Sequence, residues 1–207
     1  MHNSLNKASG LLNLGYNNKY SSIDFSYHNI VENEQYPGST LNPSSIETQL
    51  VHYQGYLLNL KRQLNNDWQL NNHISYLSAK TTGYYAGDFS QDSKILSLMP
   101  KLTGTLPIAN IMTITGFIVS HDQYAFNYEK NNTYDVENTN QIYTAYTHWT
   151  IPLNQQYSIV LGINGSKQNN ILNQNHNNNH AFITEESFIY KPNSTWRFYL
   201  RRAGSYR

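Results

Sequence analysis

Apolar and polar side chains alternate with a period of two through most of this chain, and few stretches keep the i, i+3, i+4 spacing of an amphipathic helix for three turns. In 20–29, Ile23, Phe25 and Tyr27 share one face of an extended chain while Ser22, Asp24, Ser26 and His28 share the other. Segment 68–76 repeats the pattern: Trp68, Leu70, Ile74 and Tyr76 oppose Gln69, Asn71, His73 and Ser75, and Asn72 is the exception on the apolar side. Near the C-terminus Trp196, Phe198 and Leu200 alternate with Arg197, Tyr199 and Arg201. Further strands are expected at 10–16, 50–63, 93–104, 110–121, 139–150, 156–166 and 181–191, about ten in all. Pro100 sits inside one of them, where it removes a ladder hydrogen bond.

The connections carry a second pattern. They read short at 17–19, long at 30–49, short at 64–67, long at 81–92, short at 105–109, long at 122–138, short at 151–155, long at 167–180 and short at 192–194. In an up-and-down meander alternate connections lie at the same end of the sheet, so every short turn falls on one side and every long loop on the other. Transmembrane barrels have this sidedness, with short periplasmic turns and long extracellular loops, whereas a soluble sandwich has no need of it. The expected fold is therefore all-β: an antiparallel up-and-down transmembrane β-barrel segment of about ten strands. Ile23, Phe25, Leu70, Ile74, Trp196 and Phe198 would face lipid, and Asp24, Asn71, His73, Arg197 and Arg201 a hydrated interior.

Composition narrows the function classes. The 207 residues hold 14 Lys and Arg against 13 Asp and Glu, for a net charge of +1, and 13% are charged. That is about half the usual quarter, and it argues against a coiled coil, a supercharged nucleic-acid binder or an acidic tail. Neutral polarity takes the place of charge, with 29 Asn and 18 Tyr. So many aromatics are unlike a disordered chain, and in a barrel the Tyr supply interfacial girdles. With no Cys there is no disulfide, thiolate metal site or thiol nucleophile. The opening MHNSLNKASG lacks the apolar core of a signal peptide, and no apolar run approaches the ~20 residues of a spanning helix.

Several segments resemble the barrel of TonB-dependent outer-membrane receptors. Glu34-Gln35-Tyr36-Pro37-Gly38 is similar to a Tyr-Pro-Gly loop segment of some of these receptors, and Gln63-Leu64-Asn65-Asn66-Asp67-Trp68-Gln69-Leu70 to a periplasmic turn followed by an interfacial Trp. Tyr143-Thr144-Ala145-Tyr146, Pro152-Leu153-Asn154 and Leu161-Gly162 resemble the family's hairpin, although Ile163 and Asn164 stand where an Arg often follows. Tyr190-Lys191-Pro192-Asn193-Ser194-Thr195-Trp196-Arg197-Phe198-Tyr199 is similar to a turn and strand that lead into further barrel. The resemblance implies a partial receptor barrel over 1–207, with the plug, signal peptide and C-terminal strands absent. It also implies location in the outer membrane of a Gram-negative bacterium. The partners it implies are membrane lipid, a plug domain, the TonB energy complex and a small-molecule ligand such as a ferric siderophore or cobalamin. A passive porin or autotransporter-type barrel, or a soluble all-β binding module, are the alternatives.

Candidate chemistry is sparse. Tyr84, Tyr85 and Phe89, on a Gly83 and Gly87 background, and His121, Asp122 and Tyr124, followed by Phe126 and Tyr128, are candidate ligand contacts on extracellular loops, since aromatic and polar groups hold ligands by stacking and hydrogen bonds. Arg197 and Arg201 are candidate basic groups of the lumen. His176 and His180 have helical chelate spacing but sit in an Asn-rich loop without a third ligand, so no metal site is expected. Glu185 and Glu186, being adjacent, point to opposite faces of a strand and form no catalytic pair. No nucleophile elbow, phosphate loop or cofactor motif is present, so no enzyme and no cofactor is expected.

Overall fold

The computed structural model describes residues 4–37, 46–84, 88–128 and 136–204. Ten strands occupy them: β1 (Ser4–Asn17), β2 (Ser21–Pro37), β3 (Ile46–Gln63), β4 (Trp68–Tyr84), β5 (Asp88–Leu106), β6 (Ile111–Tyr128), β7 (Val136–Pro152), β8 (Tyr157–Leu172), β9 (Asn175–Tyr190) and β10 (Phe198–Ala203). They form one sheet in chain order, each strand antiparallel to the next, with β1 and β10 at its edges.

The sheet is a single layer. Val51 is the one buried hydrophobic residue among the described residues, and the accessible surface is 14476 Å². A compact soluble monomer of 23.9 kDa exposes about 9,900 Å². Leu14, Ile23 and Phe182 are 58%, 45% and 70% exposed, so the apolar face needs lipid in place of a second protein layer.

The pairing register sorts the faces. The row Leu14↔Phe25↔Leu58↔Ile74↔Leu98↔Val119↔Tyr143 is apolar or aromatic throughout, and the neighbouring row Gly15↔Asp24↔Asn59↔His73 is mostly polar. Ile23, Phe25, Leu70 and Ile74 share the lipid face, and Asp24, Asn71 and His73 the lumen face, as the alternation predicts. The strands also stagger. A row begun at Asn17↔Ser22 passes through Lys61, Asn71, Lys101, Gly116, Tyr146 and Asn164 to Ile183, seven residues short of the end of β9 at Tyr190. At ~3.3 Å per residue this is about 23 Å of offset, the shear that tilts strands in a barrel wall.

One device recurs at the short turns. Asn18 Oδ1 accepts the N–H groups of Tyr20 and Ser21, Asn65 Oδ1 those of Asp67 and Trp68, Asn154 Oδ1 those of Gln156 and Tyr157, and Asn193 Oδ1 those of Thr195 and Trp196. An Asn side chain here replaces a backbone turn, and in three of the four it sets an aromatic three residues on at the membrane rim. Tyr157, Tyr190 and Phe198 then stack across β8 to β10, with centroids 4.8 and 6.0 Å apart. A second girdle, Tyr27, Tyr56 and Tyr76, lies higher on β2 to β4 with spacings of 4.9 and 6.1 Å.

Glycines admit aromatics laid flat across the neighbouring strand. Gly104 lies directly opposite Trp68, Gly116 opposite Tyr146, and Gly162 opposite His148, and a Cβ at any of them would strike the facing ring. Ring cover of this kind restores the packing that a strand glycine lacks. Pro100 is accommodated on one side only: β4 pairs through it at Asn72, while the ladder with β6 skips Met99 and Pro100, so the missing N–H faces β6.

Strand ends differ from expectation on the outer side. Most of 30–49, 81–92, 122–138 and 167–180 is strand, and the long outer hairpins are built from polar β-ladder in place of irregular loop. The β8–β9 connection shrinks to Asn173 and Gln174, whose φ values of 45° and 70° match the two-residue turn that suits hairpin twist. The Asn173 side chain accepts the Glu137 N–H at 2.9 Å, tying this turn to β7.

Candidate functional site

The lumen face divides into two zones. Near the short turns, Ser22 and Asp24 of β2, Asn59 and Lys61 of β3, Asn71 and His73 of β4, and Lys101 of β5 line an open hollow of about 490 Å³ together with Tyr146 of β7. His73 Nδ1 and Asn59 Oδ1 are 2.8 Å apart, which fixes the imidazole across two strands. The outer zone is made of the polar hairpin extensions. Phe89 stacks on Phe126 at 6.0 Å, and Asp122 accepts from Ser120 Oγ at 2.7 Å. Beside them Gln168 Nε2 donates to Asn140 Oδ1 at 3.0 Å. By register Tyr124, Asn138, Asn170, Asn177 and Asn179 share this face.

The expected ligand contacts are only partly brought together. Phe89 begins β5, and Asp122 and Tyr124 lie in β6, on the same face and in strand rather than loop. His121 is separated from them: as the neighbour of Asp122 it points to the lipid side, where its Nδ1 lies 3.2 Å from Gln141 Nε2. Tyr84 closes β4, but its side chain, like the whole of Tyr85, lies outside the described residues.

Arg201 lies on the lumen side of the last strand, and Arg197 precedes that strand by one residue, four residues from Arg201. Arg201 Nε pairs with Glu185 at 2.9 Å, and Arg197 donates to Tyr199 Oη at 3.0 Å with its guanidinium over the same ring. Glu186 reaches the opposite face and meets Arg202 at 3.7 Å, so the two adjacent glutamates diverge as strand geometry requires. His176 and His180 lie in β9 rather than a loop or helix. Four residues of strand separate them by about 13 Å, too far to share an ion. Sequence reasoning missed Asn138, Asn140, Gln168 and Asn170 as lumen groups, because they fall where neither face is apolar and alternation is silent.

No protein-family model matches the chain, and no curated protein matches it in sequence. Solved structures match in fold. The alcaligin outer-membrane receptor FauA of Bordetella pertussis superposes with a TM-score of 0.76 over 96% of this chain, at 12% identity. The fold is that of an outer-membrane receptor barrel wall. The ferric preacinetobactin receptor BauA of Acinetobacter baumannii gives a TM-score of 0.76 over 95% of the chain at 9% identity, and the ferric yersiniabactin uptake receptor FyuA of Yersinia pestis 0.72 over 96% at 13%. The chain spans 35%, 39% and 37% of the length of these three receptors. The barrel wall thus has the architecture that the sequence resemblance to TonB-dependent receptors implies.

Proposed function

We propose that this chain is the wall of part of a TonB-dependent receptor, which in complete form takes up a scarce nutrient carried as a chelate such as a ferric siderophore. The observation that carries the reading is the superposition of 95 to 96% of the chain on receptors for alcaligin and ferric preacinetobactin. The lumen zones support it. Outer aromatics and amides around Phe89, Phe126, Tyr124 and Gln168 suit a ligand arriving from outside, and the hollow at Asp24, Lys61 and Lys101 offers charged groups to a plug. In this reading the barrel wall neither closes nor transports by itself, because the β1 and β10 edges would leave backbone groups unsatisfied in lipid at several kcal/mol each. The energy complex acts on the plug, and this stretch supplies wall and hairpins.

The test is to sequence the encoding locus for about 1.5 kilobases on either side, a span that holds a plug and the remaining strands of a 22-stranded barrel. The expected result is a plug upstream and further strands downstream, in or near frame. Unrelated flanks would overturn the receptor reading and favour a small stand-alone barrel. Expressed alone, the chain is expected to be degraded or to aggregate; recovery in the outer membrane as a heat-modifiable band would contradict that.

A further inference from the structure

Charge is segregated by height on the lumen face. Lys61 and Lys101 lie low in the wall, at the hollow near the short turns. Asp122, Asn140 and Gln168 stand eleven or twelve residues from the short-turn ends of β6, β7 and β8, at Ile111, Pro152 and Tyr157. A tilted strand crosses the hydrocarbon in about 9 to 11 residues, so this upper level belongs to the outer mouth. Among the described residues of β1 to β9, the one lysine or arginine on its lumen side is Lys7, and Glu32 neutralises it. The lysines at the same height, Lys80, Lys94 and Lys167, fall on the opposite face.

Negative charge is left over at the mouth. Asp122 is half-buried, accepts from Ser120 Oγ at 2.7 Å, and has Ile95 and Asn140 as its register neighbours, so no cation faces it among the described residues. Glu34 of β2, on the same face, has no ion pair among them either. The groups around Asp122 are neutral. Asn138 and Asn170 hold their amide oxygens enclosed without a hydrogen-bond partner, so their N–H groups are what they offer to the lumen. Leu77 and Ile95 continue the row of Asp122 as apolar surface, and Tyr124 stands exposed one step further out. A half-buried carboxylate without a cation repels an anion, while amide N–H groups beside apolar surface suit uncharged oxygen atoms.

We infer that the outer lumen selects its ligand by charge: it takes an uncharged, oxygen-rich chelate and repels polyanionic ones, with Asp122 as the repelling group. The inference rests on the receptor reading and names the ligand class within it. Three monoanionic hydroxamates cancel the charge of ferric iron, whereas three dianionic catecholates leave a trianion. The neutral hydroxamate chelate is the one that fits. Its oxygens meet the N–H groups of Asn138 and Asn170, and its methylene chains meet Leu77 and Ile95.

The test uses the full-length gene product in detergent at about pH 8, where imidazoles such as His28 on the same face are neutral. Tryptophan quenching gives Kd for ferrichrome, a neutral ferric tris-hydroxamate, and for ferric enterobactin, a trianionic ferric tris-catecholate. The neutral chelate is expected to bind at least about tenfold more tightly, the order expected of one carboxylate facing a trianion across several ångströms of water. That ratio should shrink by about threefold to tenfold in Asp122→Asn and further in Asp122→Lys, and in the parent it should shrink with added salt. Heat-modifiable migration reports that each variant is folded. A parent that binds the trianion as tightly as the neutral chelate overturns the inference and leaves the receptor reading standing. An unchanged ratio in both folded variants overturns the role of Asp122. Binding of neither chelate overturns the receptor reading for ferric ligands, and this inference with it.

Discussion

Gly116 offers the sharpest test of how the wall is packed. A Cβ at this position would lie 2.6 Å from the Pro100 carbonyl oxygen and 2.7 Å from Tyr146 Oη. The Tyr ring can swing away at modest cost, but the Pro100 oxygen belongs to the backbone of a strand whose φ the proline ring fixes. Gly116→Ala is therefore an overpacking change costing about 1–3 kcal/mol. Against this, Ala stabilises by about 0.4–1 kcal/mol through the unfolded chain. The net expected loss is about 0.5–2 kcal/mol.

Gly165, on the lipid face of β8, is the control. A Cβ there has nothing within 4 Å, so Gly165→Ala keeps only the unfolded-state gain of about 0.4–1 kcal/mol. Urea unfolding of the complete barrel in lipid vesicles, followed by tryptophan fluorescence, reads both shifts as midpoints at constant slope. The midpoints should move in opposite directions. Adding Tyr146→Ala to Gly116→Ala should relieve only the ring contact and leave the clash with Pro100. Equal midpoints for the two Ala variants, or full rescue by Tyr146→Ala, would refute the close approach of β5 and β6 at Pro100.

Three further outcomes test other parts of the wall. Leu58 lies mid-band on the lipid face, so Leu58→Arg should destabilise the folded barrel by about 2–4 kcal/mol, while Asn59→Arg, one residue away on the lumen face, should cost far less in the same vesicle titration. Asn65→Ala removes the acceptor for two N–H groups and should cost about 1 kcal/mol at this exposed turn, with Asn65→Asp closer to the parent. Glu185→Gln weakens a pair whose Arg201 side chain is 61% exposed; the expected stability change is below about 1 kcal/mol, and a larger one would mean that the ion pair is shielded in the closed barrel.

The membrane-spanning half of each strand was legible because it has two solvents. Ile23, Phe25, Leu70 and Ile74 must meet hydrocarbon while Asp24, Asn71 and His73 meet water, and that difference writes itself into the sequence as period-two alternation. Beyond the girdle both faces meet water. Glu32, Asn33 and Glu34 of β2, or Gln168, Asn169 and Asn170 of β8, show no apolar side and include residues depleted in strands, so they read as loop. Their extended form follows instead from the ladder beneath, which continues upward pair by pair without a break from Tyr143↔Lys167 to Asn138↔Leu172. A readable signal lies at the other end, where Asn65 to Trp68, Asn154 to Tyr157 and Asn193 to Trp196 share a spacing of three. It reports a turn oxygen and the rim aromatic that the turn positions.

The same rule that separates Glu185 from Glu186 separates His121 from Asp122, because β6 continues as strand where the alternation predicts a loop. Two neighbours on a loop can converge on one ligand; two neighbours on a ladder cannot. With β6 running unbroken to Tyr128, Asp122, Tyr124 and Phe126 form a lumen row and His121 falls on the lipid-side face with Lys94 and Lys167. This outer lumen face has no motif, since Asp122, Asn140 and Asn170 come from three different strands and are set side by side by register alone. Its chemistry can therefore change by single substitutions along any outer row without disturbing the apolar rows below.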